Sequence, residues 1–531
     1  MIARAFAIVM LALAGRGGAG FGPGFETILE ADLAADVRAL ASPELEGRDT
    51  PSLGLEKGAR WIEERFKKAG LGYAPDSSTH WKKILGTDLP TSAADAGGTS
   101  VQGTFRRPFK RRLPEPDAAG CLLALDAKEY ALVHDFVPVR GCEGEAAGEL
   151  VFAGYGIQSK TEKYDDFAGL KLKGRIALIV EGEPQTTDRR FDGVEIGRAA
   201  SLWEKVDALS AAGAAGVLAA RRPSDKAKAT PGDISFRTTW ADFNGVASDP
   251  PPRHPLPVLE VSLACADEIL GQDVDALADK IDKSVHPVHA TPGVRRVRMK
   301  SRTQESEVRV DNLVGLVRGS DGALAEEYVV VGAHYDHVGI DARGRIACGA
   351  DDNASGVAAM LEIAEALAAA GTRRSVLACA FAGEEDGLLG SQAFCAALPV
   401  PKDKIVAMVN LDMIGRGDAD SVAALGVTQN PALEKVITRA KKLKACGVRE
   451  VVVRQGEDLF ERSDHFSFHK IGIPVLFFFE GLPIDRNKDY HTWRDTTDKL
   501  DFGKTLNTTR LVYNATWILT QDDERPPPPR G

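Results

Sequence analysis

From Val308 to the C-terminus, short uninterrupted apolar runs alternate with helical patterns, and this alternation constrains the fold more than any other feature of the chain. Residues 312–317, 328–333, 375–382, 405–411 and 473–479 each read as a strand apolar on both faces, and residues 356–370 between the second and third carry the 3.6-residue spacing of a helix. Strands without polar alternation must be covered on both sides. The expectation is therefore an α/β fold: a mostly parallel, mixed sheet with helices on both faces. In such sheets ligands bind outside the C-terminal ends of the strands.

Those ends are where histidines and carboxylates collect. VVVGAHYDH places His334 and Asp336 after one strand, GADDNASG places Asp352 before the helix, and LACAFAGEE ends in Glu384 and Glu385. VNLDMIG carries Asp412, and KDYHTWRD, after the last strand, carries His491. A single strand-end carboxylate is usually a helix cap or a surface charge. Several converging on one edge would raise one another's pKa severely unless cations compensated them. Imidazole and carboxylate suit zinc, and a pair of ions about 3.5–4 Å apart needs two protein ligands each plus a bridge. The inventory fits: His334 and Asp412 for one ion, Glu385 and His491 for the other, and Asp352 between them. Glu384 is left over, and a free glutamate beside such a cluster can act as general base for hydrolysis. Asp336, two residues after His334, is placed to receive the second imidazole N–H. His337, His465 and His469 read as surface or packing histidines, and Asp464 as a helix cap.

The remainder of the chain sets boundaries. A length of 531 residues, 44% apolar and 27% charged, suits two or three globular domains. A net charge of −10 argues against nucleic acid as a partner. The densest basic run, Arg106, Arg107, Lys110, Arg111 and Arg112, reads as a solvated face. Arg4 followed by ten apolar residues, Ala5 to Ala14, and then by small residues has the layout of a signal peptide over 1–20. Ten apolar residues are too few to span a bilayer, which takes about 20, and no membrane span is expected. An exported protein, periplasmic or extracellular, follows. Seven cysteines without a C-x-x-C pair make no disulfide framework, although Cys121 and Cys142 are close enough in sequence to pair. Residues 55–71 form an amphipathic helix, and 75–120 look irregular. From Gly148 to Ser262, short β runs and a helix at 201–211 make a smaller β-rich α/β unit. The terminal ERPPPPRG is expected to stay unpacked.

GAHYDH, GADDNASG, FAGEE, NLDMIGR and DYHT, in that order, resemble the co-catalytic two-zinc exopeptidases, the family of secreted bacterial aminopeptidases, glutamate carboxypeptidase and the transferrin receptor. The resemblance implies a zinc exopeptidase fold of the phosphorylase/hydrolase kind and two zinc ions on His334, Asp352, Glu385, Asp412 and His491. It also implies Glu384 as base, a cis peptide between Asp352 and Asn353, and a hydrogen bond from Tyr490 to the oxyanion. Trp493 departs from the family, where proline is common. VFAGYGI, YDDFAGLKLKGRIALI and AAGAAGVL are similar to the protease-associated domain often inserted in these enzymes. The implied organisation is a signal peptide at 1–20, an N-terminal peptidase segment at 24–132, the inserted domain at 133–292, the catalytic domain at 293–524 and a disordered tail at 525–531. The implied activity is release of N-terminal residues from peptide substrates, with oligomeric state left open. A glutamate-releasing carboxypeptidase would need arginines such as Arg416, Arg454 or Arg462 aimed at the substrate carboxylate. A glutaminyl cyclase or a receptor-like protein would lack ligands that are present here.

Overall fold

The computed structural model describes residues 23–75, 103–185, 191, 198–222, 254–290, 293–340, 344–453, 459–480 and 487–529. The signal-like segment at 1–20, Arg454 and much of the 75–120 stretch fall outside the described residues. The chain divides into two compact units, one of residues 1–111, 309–341 and 345–531, the other of residues 112–308 and 342–344.

The first unit holds a nine-stranded sheet. Its main strands are β1 (Arg106–Pro116), β2 (Thr303–Val317), β3 (Tyr328–His334), β4 (Ser375–Phe381), β5 (Ile405–Leu411), β6 (Ser421–Leu425) and β7 (Val475–Phe479). The order runs from Gly72–Tyr73 through β2, β4, β3, β5, β7 and β6 to Glu450–Val452, with β1 paired to β2. The centre is parallel, β4–β3–β5–β7, and antiparallel partners flank it, β2 against β4 and β6 against β7. Every residue of β3, β4 and β5 is buried, as strands apolar on both sides require.

Helices cover both faces. One apolar layer joins Val330, Leu377, Met408 and Phe477 to Phe394 of α3 (Leu389–Ala396) and Phe468 of α4 (His465–Lys470). The intervening side chains meet α2 (Gly356–Ala370) and α5 (Phe502–Gln521). Further out, α1 (Leu53–Lys68) buries Leu55, Ala59, Ile62 and Phe66, is capped by Ser52, whose Oγ accepts from the Leu55 N–H at 3.0 Å, and carries Arg65, Lys67 and Lys68 in its last turn. No helix among the described residues is long and apolar enough to cross a membrane.

Three features differ from the expectations above. The basic run is not a solvated face: β1 buries Arg107, Phe109, Arg111 and Leu113 in strict alternation, and Arg111 pairs with Asp386 at 2.7 Å. The tail is tied down at two points, although largely exposed: Arg525 pairs with Glu327, and Asn430 donates to the Pro527 carbonyl at 2.6 Å. Cys121 and Cys142 are not bonded to each other; Cys121 lies against the Arg302 carbonyl, and Cys142 is fully buried.

The second unit centres on four parallel strands, Gly144–Phe152, Ile176–Val180, Gly216–Arg221 and Val258–Ser262. They lie in an eight-stranded sheet with helices Leu202–Ala211, Leu263–Leu270 and Val274–Ser284. This unit extends beyond residues 133–292 on both sides.

Candidate metal centre

Register brings the strand ends together. His334 closes β3 opposite Phe381 of β4, and Gly332 lies opposite Asn410 of β5, so Asp412 emerges beside His334. Gly383, at φ +70°, turns the chain after β4 and delivers Glu384 and Glu385 to the same edge. Asp352 comes from the irregular turn Ala350–Ser355 ahead of α2, and its bond to Asn353 is cis. That turn is fixed from two sides. The Asp495 carboxylate accepts the N–H groups of Asp351 and Asp352 at 3.0–3.1 Å, and Asn353 bonds the Leu411 carbonyl and the Met413 N–H at 3.0 and 3.2 Å.

Asp352 divides the site. Its Oδ1 lies 3.3 Å from His334 Nε2, which is itself 3.2 Å from Asp412 Oδ1. Its Oδ2 lies 3.2 Å from His491 Nε2, which is itself 2.8 Å from Glu385 Oε2. Two ligands each about 2.0–2.1 Å from a tetrahedral zinc stand roughly 3.3 Å apart, so these separations are those of groups sharing an ion. Unsatisfied atoms agree: Asp352 Oδ2 and His491 Nε2 are buried with no hydrogen-bond partner among the described residues. A buried polar atom left that way is costly unless something else engages it. The imidazole and carboxylate donors therefore fit zinc, which His334, Asp352, Glu385, Asp412 and His491 would hold.

Charge points the same way. Burial, together with Asp412 and Glu385, holds the half-buried Glu384 carboxyl well above the usual range despite His334. Burial also raises Asp412, against His334, with Asp352 adding to the rise. Asp352 is held well below the usual range because the His334 and His491 imidazoles outweigh its burial. Without cations this edge ionises only in part.

Of the remaining residues singled out in the sequence, Asp336 lies behind His334. The nearer oxygen to His334 Nδ1 is the Asp336 backbone carbonyl, at 3.3 Å, and the carboxylate stands 3.7 Å off. That carboxylate instead accepts the N–H groups of Glu384 and Glu385 at 3.2 and 3.4 Å, so it shapes the loop that carries them. The Tyr490 ring stacks on His491 at 3.7 Å, its hydroxyl 3.4 Å from Arg462 Nη2. Arg416 is tied to Asn487 and Asp489 at 2.6 and 2.9 Å. Asp464 makes no side-chain cap on α4, contrary to expectation, and is buried, neither oxygen having a hydrogen-bond partner among the described residues. His465 packs as expected, stacked on Phe477 at 4.3 Å.

Three residues escaped the sequence reading. His337 is neither a surface nor a packing histidine: it is fully buried, with Nδ1 2.9 Å from Glu385 Oε1 and 3.6 Å from Asp352 Oδ2. Ser463 donates to Asp412, and the fully buried Arg48 donates to the Tyr335, Cys348 and Gly349 carbonyls, joining two loops of the site. The repeated histidine in GAHYDH was the available signal for His337; nothing in sequence marks Ser463 or Arg48.

Together the fold and this edge define an α/β protein whose central parallel strands carry a paired histidine–carboxylate centre at their C-terminal ends. Residues 312–516 match the model of peptidase family M28. It is 34% identical over 201 residues to a probable leucine aminopeptidase of Arthroderma otae, covering 37% of this chain and 55% of the relative. It is 28% identical over 242 residues to a probable zinc metalloprotease of Pyrenophora teres f. teres, covering 41% of this chain and 50% of the relative. The chain thus spans about half the length of the curated relatives it matches. Among solved structures, a zinc aminopeptidase from Bacillus subtilis shares the fold, with a TM-score of 0.52 at 19% identity over 94% of this chain and 96% of that one.

Proposed function

We propose that the protein is an exported, zinc-dependent exopeptidase that releases N-terminal residues from peptides. The observation that carries this reading is Asp352, whose two oxygens face two separate histidine–carboxylate groups beside a glutamate that joins neither. Bound there, zinc would polarise a peptide carbonyl and lower the pKa of water from 15.7 towards about 7. His334 and Asp412 would hold one ion, Glu385 and His491 the other, with Asp352 between them. Glu384, a carboxylate that joins neither group, takes the proton of the attacking water and passes it to the departing amine. Asp336 keeps the Glu384 backbone in place, and Tyr490, whose ring stacks on His491, is assigned the hydrogen bond to the oxyanion. Names of the relatives support an aminopeptidase. The signal-like N-terminus supports export, and the sequence signatures of the second unit support a protease-associated domain without chemistry of its own.

A carboxypeptidase would use the same centre. Arg416 is already committed to Asp489, which among the described residues leaves Arg462, of the arginines named above, to meet a substrate carboxylate. A panel of amino-acyl and N-blocked chromogenic substrates, assayed with and without a chelator, separates the readings. Cleavage confined to free amines and lost on chelation is expected. Cleavage of blocked substrates alone would end the aminopeptidase reading, and turnover that survives chelation would remove the metal.

A further inference from the structure

The second half of the centre contains one more nitrogen than the five-residue inventory supplies. His337 has no solvent exposure, and ligand-capable atoms of His337, Asp352 and Glu385 all lie within 4.8 Å of one another. Its ring meets that of His491 edge-on, centroids 5.8 Å apart, and the two histidines approach different oxygens of Glu385, Nδ1 of His337 at Oε1 and Nε2 of His491 at Oε2.

A single proton on Nδ1 could serve Glu385 at 2.9 Å or Asp352 at 3.6 Å, but not both. An ion serves both. The far nitrogen, Nε2, is buried with no hydrogen-bond partner among the described residues, a cost that a metal bond at Nδ1 offsets better than one hydrogen bond does. The fold also reserves the space. Gly349 sits at φ +58°, and a Cβ there would come within 2.6 Å of the His337 ring. The His337 N–H donates to the Arg48 carbonyl at 3.2 Å, while the Arg48 guanidinium holds the Gly349 carbonyl at 2.9 Å, so ring and glycine are positioned by one residue.

We infer that His337 is a direct ligand of the second ion, which makes the pair unequal: two imidazoles and two carboxylates on the Glu385 side, one imidazole and two carboxylates on the His334 side. This rests on the two-zinc reading above and deepens it. The Glu385 side is then the tighter site and fills first.

X-ray absorption on the full-length protein loaded with two equivalents of zinc counts the imidazoles directly. About 1.5 per ion is expected, against about 1.0 if His337 only steadies Glu385. The metal-binding companion is His337→Asn, whose amide N–H can replace a hydrogen bond from Nδ1 but not an imidazole ligand. Zinc affinity in chelator competition should fall at one site by roughly a hundredfold or more in both His337→Asn and His337→Ala, at the upper end of what losing an outer partner costs. Wild-type affinity in His337→Asn, or about 1.0 imidazole per ion in the unaltered protein, overturns the assignment of His337 alone. A protein that takes up no zinc overturns the two-zinc reading as well.

Discussion

The hydroxyl of Ser463 donates a 2.7 Å hydrogen bond to Oδ2 of Asp412 and accepts one of 2.8 Å from the Asn410 amide, so that Oδ1 of Asp412 is the oxygen turned to His334. An outer partner of this kind fixes a ligand's direction. Ser463→Ala should lower zinc affinity at the His334 side by about 10–100-fold while leaving the other ion in place. Metal content after dialysis against graded chelator measures this. Equal loss of both ions would show that Ser463 supports the fold rather than Asp412.

Glu384 belongs to neither histidine–carboxylate group, so its charge can be removed without removing a ligand. Glu384→Gln should cost about 10²–10⁴-fold in kcat. Zinc content should stay at the wild-type level, and the metal-free protein should be no less stable, because burial, Asp412 and Glu385 already oppose ionisation at this position. Kinetics and metal analysis on one preparation test both statements, and an active variant would assign the base elsewhere.

Strand positions were legible where both faces of a strand are apolar: β5 begins and ends at the expected residues, and α2 spans the expected 356–370. The gathering of His334, Asp352, Glu385, Asp412 and His491 was legible too, because strand ends that share an edge bring their next residues together. His337 was not. Three positions after His334 it would point away if the strand continued, but β3 ends at His334 and the chain turns inward. β1 was hidden for a different reason. Its inward residues are Arg107, Phe109, Arg111 and Leu113, and an alternation half made of arginine reads as polar until its partners are known.

Arg106, on the outward side of that strand, makes the case quantitatively. Its guanidinium reaches Glu56 at 2.8 Å, Glu63 at 3.0 Å and Asp311 at 3.0 Å, with 18% of its side chain exposed. Arg106→Ala leaves three carboxylates facing one another and should destabilise the first unit by roughly 1–3 kcal/mol. Arg106→Lys should recover only part, since an ammonium cannot repeat the forked contact with Glu56. Urea unfolding of the three proteins gives the order.

His465 predicts an acid-sensitive term. Burial lowers its pKa from 6.5 to about 3, so between those values the unfolded chain binds a proton that the folded one refuses. The contribution is full above pH 6.5 and declines as pH falls towards 3, with a slope of up to about 1.4 kcal/mol per pH unit. His465→Phe keeps a ring against Phe477 and removes the titration. Stability of the variant should therefore fall less steeply than wild type on acidification through this window. Parallel slopes would mean that the imidazole is charged in the folded protein.

Tyr490 separates packing from chemistry. Its ring lies 3.7 Å from that of His491 and steadies it, while burial lifts the phenol further above its usual range, so the hydroxyl remains a hydrogen-bond donor at any pH the protein meets. A donor of this kind acts on the charge that develops in the transition state rather than on the resting substrate. Tyr490→Phe keeps the stack and should lower kcat by about 10²-fold with KM little changed. Tyr490→Ala, which also removes the stack, should in addition weaken zinc on the His491 side. If the phenylalanine variant keeps full kcat while the alanine variant loses metal, the ring serves His491 alone and the oxyanion is met by another group.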